Sequence, residues 1–547
     1  MARYLKLLAH YGNYPERMRA TVPGMTTVTD RRESPSGTPE NPLDLLIVGA
    51  GMSGVDLAHH VSRAFPRWEW EIHDAHDDLG GTWHTFRYPG IRSDSDMATF
   101  GFPFRPWPHD STLGGGEEIK EYIRDAARGA GALERLHTGS WVENADWNSE
   151  RGLYRVTCRV KAAGSGDAET TRIVWARRVH YGSGYYSHSE GYRPEFPGEA
   201  DFRGEIIHPQ QWPEGMEIEG RRFVVIGSGA TAVTLVPALE RLGADVTMLQ
   251  RTPSYIGPLP EKDTISAVWR RLLPASLAYR VARFNHGARD MGQFVVAQRA
   301  PWLFKKVLRL MQRRYLSAAQ IDEHFTPDYR PWDQRVCKAP DGDIFRSLGG
   351  NARVVTDHID RFTETGILLR SGREIEADVI VTATGLELEA FGGGTLSIDG
   401  RRLDVPAQTT YRGLMLAGVP NFSFTVGYIN SSWTLRADMV SRYMVRLWKT
   451  GEQVYAPRVT GAPADRLLLE FDAGYVKRGG HRFPRQGDDR PWRYVQNYLV
   501  EIPDLTFGDV RKDMEFGAGV ALTAHRSAEP VDSSDPAGTA VSGATMG

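Results

Sequence analysis

Two glycine-rich segments have the spacing of turns that bind the phosphates of a dinucleotide. They contain Gly49, Gly51 and Gly54 in GAGMSG, and Gly227, Gly229 and Ala232 in GSGATA. In such a turn the first glycine permits a tight bend and the second lets the backbone approach a pyrophosphate. The third small residue lets the following helix pack on the strand. The sequence therefore predicts two dinucleotide sites.

The elements around each turn have the pattern needed to position it. The apolar run LDLLIV (43–48) precedes the first turn, and the helical pattern VDLAHHVSRAF follows it. The second turn lies between RFVVI and VTLVPALERL in the same way. A buried strand that turns directly into a helix places the pyrophosphate at the helix N-terminus. The predicted fold class is α/β, with two Rossmann-like dinucleotide-binding domains.

The end of the next strand distinguishes the two nucleotides. In the first unit WEWEIHDA brings Asp74 to this position, where an acid accepts a hydrogen bond from a ribose hydroxyl. In the second unit ADVTMLQRT brings Arg251 and Thr252, which could bind a 2′-phosphate that an acid would repel. The alternative is an arginine that only faces solvent. The acid at the first site therefore predicts that it binds FAD, and the arginine and hydroxyl at the second site favour NADPH over NADH.

Composition restricts the chemistry further. The two cysteines, Cys158 and Cys337, are too far apart for a CxxC pair and too few for a zinc site, so we predict no metal and a reducing, cytoplasmic location. A formal net charge of −2 indicates no nucleic-acid partner. No apolar run approaches the ~18 residues of a membrane span, and the N-terminus lacks a signal-peptide pattern. Without a dithiol, a reduced flavin needs another electron acceptor, for which dioxygen is the candidate.

A conspicuous spacing, FxGxxxHxxxWP, lies between the two turns. It consists of Phe202, Gly204, His208, Trp212 and Pro213. By composition alone this is an ordinary loop with an aromatic plug, but its position predicts a hinge between two domains. The spacing resembles the fingerprint of the flavin-dependent Baeyer-Villiger monooxygenases. N- and S-oxygenating relatives usually carry Tyr or Phe and then a basic residue where this chain has Trp and Pro.

Two further segments resemble the ethionamide-activating group of that family. The first, GGTWHTFRYPGIRSDSDM (80–97), includes Gly81, Thr82 and Trp83, and the second is HFTPDYRPWDQRVCKAPDGDIF (324–345). From its residues alone the first is a turn-rich loop with paired charges, whose glycines could let the chain pass close to a flavin ring. The second is a loop rich in Pro and Asp.

The resemblance also implies roles for individual residues. Arg335 matches an arginine over the flavin, where a fixed cation stabilises a peroxide anion and the alkoxide formed when it adds to a carbonyl. Asp94 matches an aspartate beside the flavin that holds this arginine. Trp492 matches a tryptophan that folds over the bound nicotinamide, although a core tryptophan would look identical. Gln334 stands where many relatives have Lys, which implies a weaker preference for NADPH.

The resemblance implies a function as well. It is that of an FAD-containing, NADPH- and dioxygen-dependent monooxygenase that converts a ketone to an ester or lactone through a C4a-peroxyflavin. One alternative is S-oxygenation of a sulfide or thioamide by the same species in its protonated form. Another is a non-catalytic nucleotide-binding protein. Arg335 and Asp94 argue against that, because a sensor needs no cation over a flavin.

The order of these features predicts the domain organisation. The chain begins with a flexible N-terminal extension (1–40) and a first FAD-binding segment (41–175). A segment with the linker, the fingerprint and the beginning of the NADPH-binding domain (176–258) follows, and a helical insertion (259–330) separates it from the remainder of that domain (331–383). A second FAD-binding segment (384–522) and a disordered tail (523–547) end the chain. The insertion carries basic amphipathic segments such as APWLFKKVLRLMQRRYL. They predict a helical subdomain with a solvated face, and contact with an anionic membrane surface is the alternative.

Overall fold

The computed structural model describes residues 36–161, 169–459, 465–517 and 528–530. Most of the predicted flexible extension (1–40) and of the predicted disordered tail (523–547) lies outside these residues. Within the tail, the strand Ala528–Pro530 pairs antiparallel with Arg401–Leu403. The predicted bounds and disorder of the tail stay a prediction.

The first sheet is parallel and is built around the strand that precedes the first glycine turn. Its five strands have the spatial order Phe422–Phe424, Val179–Tyr181, Leu45–Val48, Trp70–His73 and Leu136–His137. The helix Met52–Ala64 follows the turn and packs against the helix Trp433–Trp448. All residues of Leu45–Val48 are buried, as expected of a central parallel strand.

The strand Val179–Tyr181 corrects the predicted end of the first FAD-binding segment at residue 175. It pairs with Leu45–Val48 and all three of its residues are buried, so it belongs to the first sheet and not to the linker. The other predicted domain boundaries stay predictions.

The second sheet repeats this arrangement around the second glycine turn. Its five parallel strands have the order Arg353–Thr356, Asp245–Gln250, Arg222–Ile226, Val379–Thr382 and Glu205–Ile207. The helix Ala230–Arg241 follows the turn, and the helix Asp343–Leu348 packs against it. The predicted α/β fold with two Rossmann-like units is confirmed.

A third sheet of six strands was not predicted. Its order is Ala528–Pro530, Arg401–Leu403, Thr395–Ile398, Ser140–Asn148, Leu153–Lys161 and Glu169–Ala176. Buried residues largely alternate with more accessible ones along Ser140–Asn148, which is the pattern of a strand with one face on the core. Its first residue, Ser140, forms a hydrogen bond to His73 of the first sheet.

The insertion consists of four helices and is attached to the first unit. They are Thr264–Leu272, Ala275–Arg299, Pro301–Gln312 and Ala318–His324. Arg283 donates hydrogen bonds from Nη1 to the carbonyl oxygens of Ala98, Thr99 and Gly101 in the first unit. Among the described residues, no helix is both long and apolar enough to cross a bilayer.

Short elements complete the described chain. The remaining helices are Thr82–Thr85, Met97–Phe100, Gly116–Gly129, Gly474–Gly479 and Tyr498–Ile502, with helical turns at Leu133–Arg135, Glu199–Asp201, Pro209–Gln211, Ala390–Gly393, Val405–Ala407, Gly480–Arg482 and Pro503–Phe507. The remaining strands pair as Ile256–Leu259 with Cys337–Pro340, Ile359–Phe362 with Gly366–Leu369 and Glu374–Glu376, Tyr186–Gly191 with Leu386–Leu388, Thr410–Tyr411 with Met415–Leu416, Tyr455–Pro457 with Met514–Phe516, and Arg466–Leu467 with Arg485–Gln486.

Candidate functional site

A cavity of about 740 Å³ lies at the carboxyl end of the first sheet and reaches the second unit. Gly49 and Gly51 of the first turn line it on one side, and Ala230 and Thr231 at the start of the second unit's helix line it on another. Arg335 lines it as well. The volume lies within the range of about 300–1,000 Å³ that is usual for small-molecule sites.

The first glycine turn has the geometry that its spacing predicts. Gly49 has a φ of 98°, in the region that favours glycine. A β-carbon at Gly54 would collide with the carbonyl oxygen of Gly49, so the helix can approach the strand this closely only with glycine there. Gly51 faces Gly81 across the cavity, and a β-carbon on Gly51 would lie 3.5 Å from the Cα of Gly81. The two backbones therefore form a narrow cradle without side chains.

Asp74 closes this turn. Its Oδ2 accepts a hydrogen bond from the backbone N–H of Ala50 at 2.7 Å, and its Oδ1 accepts from the backbone N–H of His76 at 2.9 Å. Burial alone raises the pKa of Asp74, but the hydrogen bonds and the charge of His76 outweigh it and hold the pKa below its usual value. The carboxylate is thus ionised and lines the cavity. Its oxygens have further lone pairs for a ribose hydroxyl.

The GGTW segment forms one wall of the same cavity. Gly81, Thr82 and Trp83 line it, and the last two begin the short helix Thr82–Thr85. The Trp83 ring packs edge-to-face against Phe100, with centroids 5.7 Å apart. This wall combines open backbone with an aromatic surface.

Arg335 and Asp94 form an ion pair at the cavity. The Nε of Arg335 lies 3.0 Å from Oδ2 of Asp94, and its Nη2 lies 3.0 Å from Oδ1. The Nη2 also donates to the hydroxyl of Ser95 at 3.2 Å. Burial alone lowers the pKa of Arg335, but the negative charge of Asp94 raises it above its ordinary value. The guanidinium is therefore a permanent cation held in one orientation.

A second ion pair fixes the loop that carries Asp94. Arg92 donates from Nη1 to Oδ2 of Asp343 at 2.6 Å and from Nη2 to Oδ1 at 3.2 Å. Asp343 begins the helix Asp343–Leu348, which packs on the second unit's first helix. The loop is thereby tied to the second unit.

Three tyrosines beside Arg335 were missed by the sequence analysis. The hydroxyls of Tyr185 and Tyr186 lie 2.7 Å apart, and the Tyr186 ring lies edge-on to Tyr475. Burial raises the pKa of Tyr185 and Tyr186, so both keep their hydroxyl protons. A signal was available, because GSGYY follows a central strand of the first sheet, and ligands of such sheets bind at the carboxyl ends of their strands.

Trp433 extends this aromatic surface. Its ring stacks on Tyr185 with centroids 5.0 Å apart, and its Nε1 donates to the Ser53 hydroxyl at 2.8 Å. Ser431 and Trp433 both line the cavity.

Gly227, Gly229 and Ala232 of the second glycine turn do not themselves line the cavity. Gly227 has a φ of 137°, Gly229 is exposed, and Ala232 is buried against the sheet. Arg251 and Thr252 are exposed at the end of Asp245–Gln250, and Arg251 takes part in no ion pair among the described residues. The predicted assignment of these five residues to NADPH stays a prediction.

His208 joins the predicted hinge to the second sheet. Its Nδ1 accepts a hydrogen bond from the backbone N–H of Gln210 at 3.2 Å, which leaves Nε2 to donate to the carbonyl oxygen of Gly385 at 3.2 Å. Burial lowers the pKa of His208, in keeping with this neutral form. A β-carbon at Gly191 would collide with the His208 ring, so the ring also lies against the chain that leaves the first unit.

Three of the other four residues of the FxGxxxHxxxWP spacing serve packing. Phe202 lies edge-on to Phe362 at 6.3 Å, and a β-carbon at Gly204 would meet the backbone of the second unit. Trp212 packs against the core of the second unit, whereas Pro213 is exposed. None of the five lines the cavity. Their predicted role as a hinge stays a prediction.

Trp492 does not reach the cavity in this structure. Its ring lies edge-on to Tyr411 with centroids 5.3 Å apart, and it packs against the core of the first unit. This is the environment of an anchoring tryptophan. The implied contact with a nicotinamide stays a prediction.

The comparisons with known proteins agree with this geometry. Residues 47–109 match the family model of an NAD(P)-binding Rossmann-like domain. The chain is 44% identical over 476 residues to the FAD-containing monooxygenase EthA of Mycobacterium tuberculosis, covering 86% of this chain and 96% of that protein. It is 40% identical over 490 residues to the probable FAD-binding monooxygenase AlmA of Acinetobacter baylyi, covering 88% and 96%.

Solved structures share the fold. OTEMO in complex with FAD and NADP matches with a TM-score of 0.64 at 18% identity, over 87% of this chain and 99% of that one. The open structure of cyclohexanone monooxygenase matches with a TM-score of 0.64 at 19% identity, over the same shares.

The fold and cavity define a protein of the dinucleotide-binding class with two Rossmann-like units. The sequence comparison identifies it further: the chain belongs to the family of FAD-containing monooxygenases that includes EthA. The predicted family, the flavin-dependent monooxygenase class, and FAD and NADP as cofactors are confirmed at the level of this family.

Proposed function

We propose that this protein is a Baeyer-Villiger monooxygenase that uses NADPH and dioxygen to convert a ketone into an ester or lactone. The observation that carries the proposal is the Arg335–Asp94 ion pair at the cavity that the first glycine turn lines. We further infer that the enzyme works in the reducing cytoplasm, which two free, buried cysteines support.

The cavity residues fit a flavin dinucleotide. The bare backbone at Gly51 and Gly81 suits a pyrophosphate, and the ionised Asp74 suits a ribose hydroxyl. Gly49, Thr82 and Trp83 complete the proposed FAD site, whose catalytic end lies at Arg335. When bound, reduced FAD supplies the activation of dioxygen.

Arg335 would stabilise the charge that develops on a ketone during the reaction. Addition to the carbonyl carbon places negative charge on the carbonyl oxygen, and a preoriented cation beside it lowers the barrier without reorganisation. Asp94 fixes the direction of the guanidinium through Nε and Nη2, so Nη1 is the donor that no protein acceptor among the described residues occupies. Oxygenation of a sulfide develops no such anion on the substrate, so the pair favours a ketone.

Two further features support a two-nucleotide cycle. Arg251 and Thr252 stand exposed at the strand end of the second unit, where a 2′-phosphate would meet a cation and a hydroxyl. His208 connects this unit to the chain entering from the first, as a residue that transmits domain movement would. The aromatic surface of Trp83, Tyr185 and Trp433 would keep water from the reacting atoms.

Product analysis with matched substrates tests this function. The holoenzyme is incubated with NADPH and either a panel of cyclic and linear ketones or an aryl methyl sulfide, and ester, sulfoxide and NADPH consumption are measured. We expect esters, with Arg335→Ala lowering their formation by roughly 10²–10³-fold. Arg361→Ala, at an exposed arginine paired with Asp360, is the matched control and should behave as wild type.

Two results would contradict the proposal. Sulfoxide without any ester would assign the protein to the S-oxygenating alternative. If no ketone or sulfide stimulated NADPH-dependent oxygen uptake, the non-catalytic nucleotide-binding alternative would be favoured.

A further inference from the structure

We propose that the exposed face of the helix Pro301–Gln312 docks on the surface of an anionic lipid bilayer. Trp302 is 68% exposed, Leu310 is 67% exposed and Val307 is 49% exposed. Leu303 and Met311 are exposed as well. Monomeric proteins rarely leave this many large apolar side chains together on one surface without a partner.

The helix has apolar residues on both of its faces. Its inner face packs through Phe304 and Leu308 into a small hydrophobic cluster, and Gln312 donates a hydrogen bond from Nε2 to the carbonyl oxygen of Ile256 at 3.0 Å. The exposed residues 303, 307, 310 and 311 lie three to four positions from one another along the helix and share the opposite face, which Trp302 extends by one position. The outer face thus lacks a partner within the described chain.

The charge of this region of the chain indicates which partner fits. Residues 264–320 contain eleven basic residues and one acidic residue, Asp290, a formal charge of +10 in a protein whose total is −2. Lys306 on the outer face and Arg313 and Arg314 just beyond the helix are all exposed. In an anionic bilayer, apolar acyl chains lie beneath negatively charged headgroups. The aromatic and aliphatic residues would contact the acyl chains, and the bordering lysine and arginine residues would contact the headgroups.

The same charge disfavours a second copy of this chain as the partner. Two such faces brought together would place both sets of basic residues opposite each other, and the few acids nearby, such as Asp322 paired with Arg309, would not offset the repulsion. A bilayer that contains anionic lipid supplies the apolar interior and the opposite charge together. The proposed contact is interfacial, and it agrees with the finding that no described helix can cross a membrane.

Docking would bring the membrane close to the candidate active site. The cluster beneath the helix includes Trp332 and Val336, and Val336 is adjacent in sequence to Arg335. The helix Pro301–Gln312 therefore shares a hydrophobic cluster with the residue that follows Arg335 in the chain.

Flotation of the full-length holoenzyme with vesicles tests the proposal. Vesicles of phosphatidylcholine with roughly one-third phosphatidylglycerol are compared with phosphatidylcholine alone at about 0.1 M and about 1 M salt. We expect binding to the anionic vesicles at low salt, and a large loss at high salt or without anionic lipid. Absence of binding to anionic vesicles at low salt would overturn the proposal.

Surface variants separate the two contributions. Trp302→Gln with Leu310→Gln should weaken vesicle binding at least tenfold, because the apolar side chains can no longer enter the bilayer. Lys306→Gln with Arg313→Gln and Arg314→Gln should weaken it about 100-fold, at roughly fivefold for each basic residue. Leu242→Gln and Arg370→Gln change exposed residues elsewhere and serve as controls.

Two further outcomes would also overturn the proposal. If light scattering shows a dimer that Trp302→Gln with Leu310→Gln dissociates, a second copy covers the face. If only a variant lacking residues 1–35 binds vesicles, the N-terminal segment covers it. Oxygen uptake in solution should be unchanged in every surface variant, so failure of the membrane proposal is distinguishable from failure of the proposed reaction.

Discussion

Arg335 and Asp94 are 241 positions apart in the sequence, yet two of their nitrogen–oxygen distances are 3.0 Å. Asp94 lies in a loop of the first unit, whereas Arg335 follows the helical insertion. The ion pair therefore joins two distant regions of the chain, which the nearby Arg92–Asp343 pair also connects. A charge placed in this way is available at the cavity only when the two regions are correctly apposed.

Replacing Asp94 by asparagine should uncouple the reaction. Asp94→Asn keeps the shape of the side chain but removes the negative charge that orients the guanidinium. The loss of one charge-assisted hydrogen bond, worth about 1.5–3 kcal/mol, predicts a decrease in ester formation of roughly 10–100-fold. NADPH oxidation should continue and release hydrogen peroxide. The measurement is the ratio of ester formed to NADPH consumed.

A matched aspartate serves as the control for this prediction. Asp110→Asn removes an exposed carboxylate that pairs with Arg270 on the surface, and the ratio should not change. Full coupling in Asp94→Asn would show that the pair has no electrostatic role in catalysis.

Replacing Arg251 by alanine should selectively weaken the use of NADPH. A lost contact between an arginine and a phosphate, at about 1.5–3 kcal/mol, predicts a KM for NADPH raised roughly 10–100-fold. NADH has no 2′-phosphate, so its KM should stay constant. Steady-state oxygen uptake with each nucleotide checks this, with Arg373→Ala at another exposed arginine as the control. If the KM rose equally for NADPH and NADH, Arg251 would not contact the 2′-phosphate.

The features that could be predicted from sequence are local ones. Gly49, Gly51 and Gly54 lie within six positions, and their backbone requirements depend mainly on that turn. Asp74 directly follows the adjacent strand, so the pairing of the two strands alone brings it to the turn. The helical insertion was visible for the same reason, since helical periodicity is a property of consecutive residues.

Other features depend on contacts that no short segment encodes. The residues alone gave Arg335 and Asp94 no reason to meet, and only the family resemblance linked them. Tyr185 and Tyr186 lie far from Tyr475 in the sequence. The Tyr186 ring contacts Tyr475 only because the first unit folds from distant segments of the chain. Trp492 shows the limit of a motif, because a core tryptophan and a cofactor-covering one have the same sequence and differ only in what packs against them.

Trp492 provides a test of these two interpretations. If it anchors the first unit, as its contact with Tyr411 suggests, Trp492→Ala should lower the free energy of unfolding by about 2 kcal/mol. The KM for NADPH should then stay near that of wild type. Urea unfolding followed by tryptophan and flavin fluorescence, together with steady-state kinetics, separates the two.

The variant Trp492→Phe serves as a second test of whether Trp492 anchors the first unit. Phenylalanine keeps an aromatic ring against Tyr411 and should restore most of the lost stability. A raised KM for NADPH at unchanged stability, in either variant, would instead support the contact with the nicotinamide that the resemblance implied.

His180 should make the stability of the first unit depend on pH. It is fully buried in the strand Val179–Tyr181, where its Nδ1 lies 2.8 Å from the Ser423 hydroxyl and its Nε2 lies 3.0 Å from the Thr425 hydroxyl. Burial lowers the pKa of His180 from 6.5 to about 3. Between these values the unfolded chain binds a proton and the folded chain does not, so stability falls as the pH decreases.

The size of this effect can be measured directly. Lowering the pH from 7 to about 5 should decrease the free energy of unfolding by about 2 kcal/mol through this one side chain. His180→Gln should be less stable than wild type at pH 7, but it should lose about 2 kcal/mol less on going to pH 5, because glutamine does not titrate. His358→Gln, at an exposed histidine, should keep the wild-type pH dependence. Urea unfolding of both variants and the wild type at pH 7 and pH 5 measures these differences. If His180→Gln kept the wild-type pH dependence, the folded protein would protonate this buried ring as readily as the unfolded chain does.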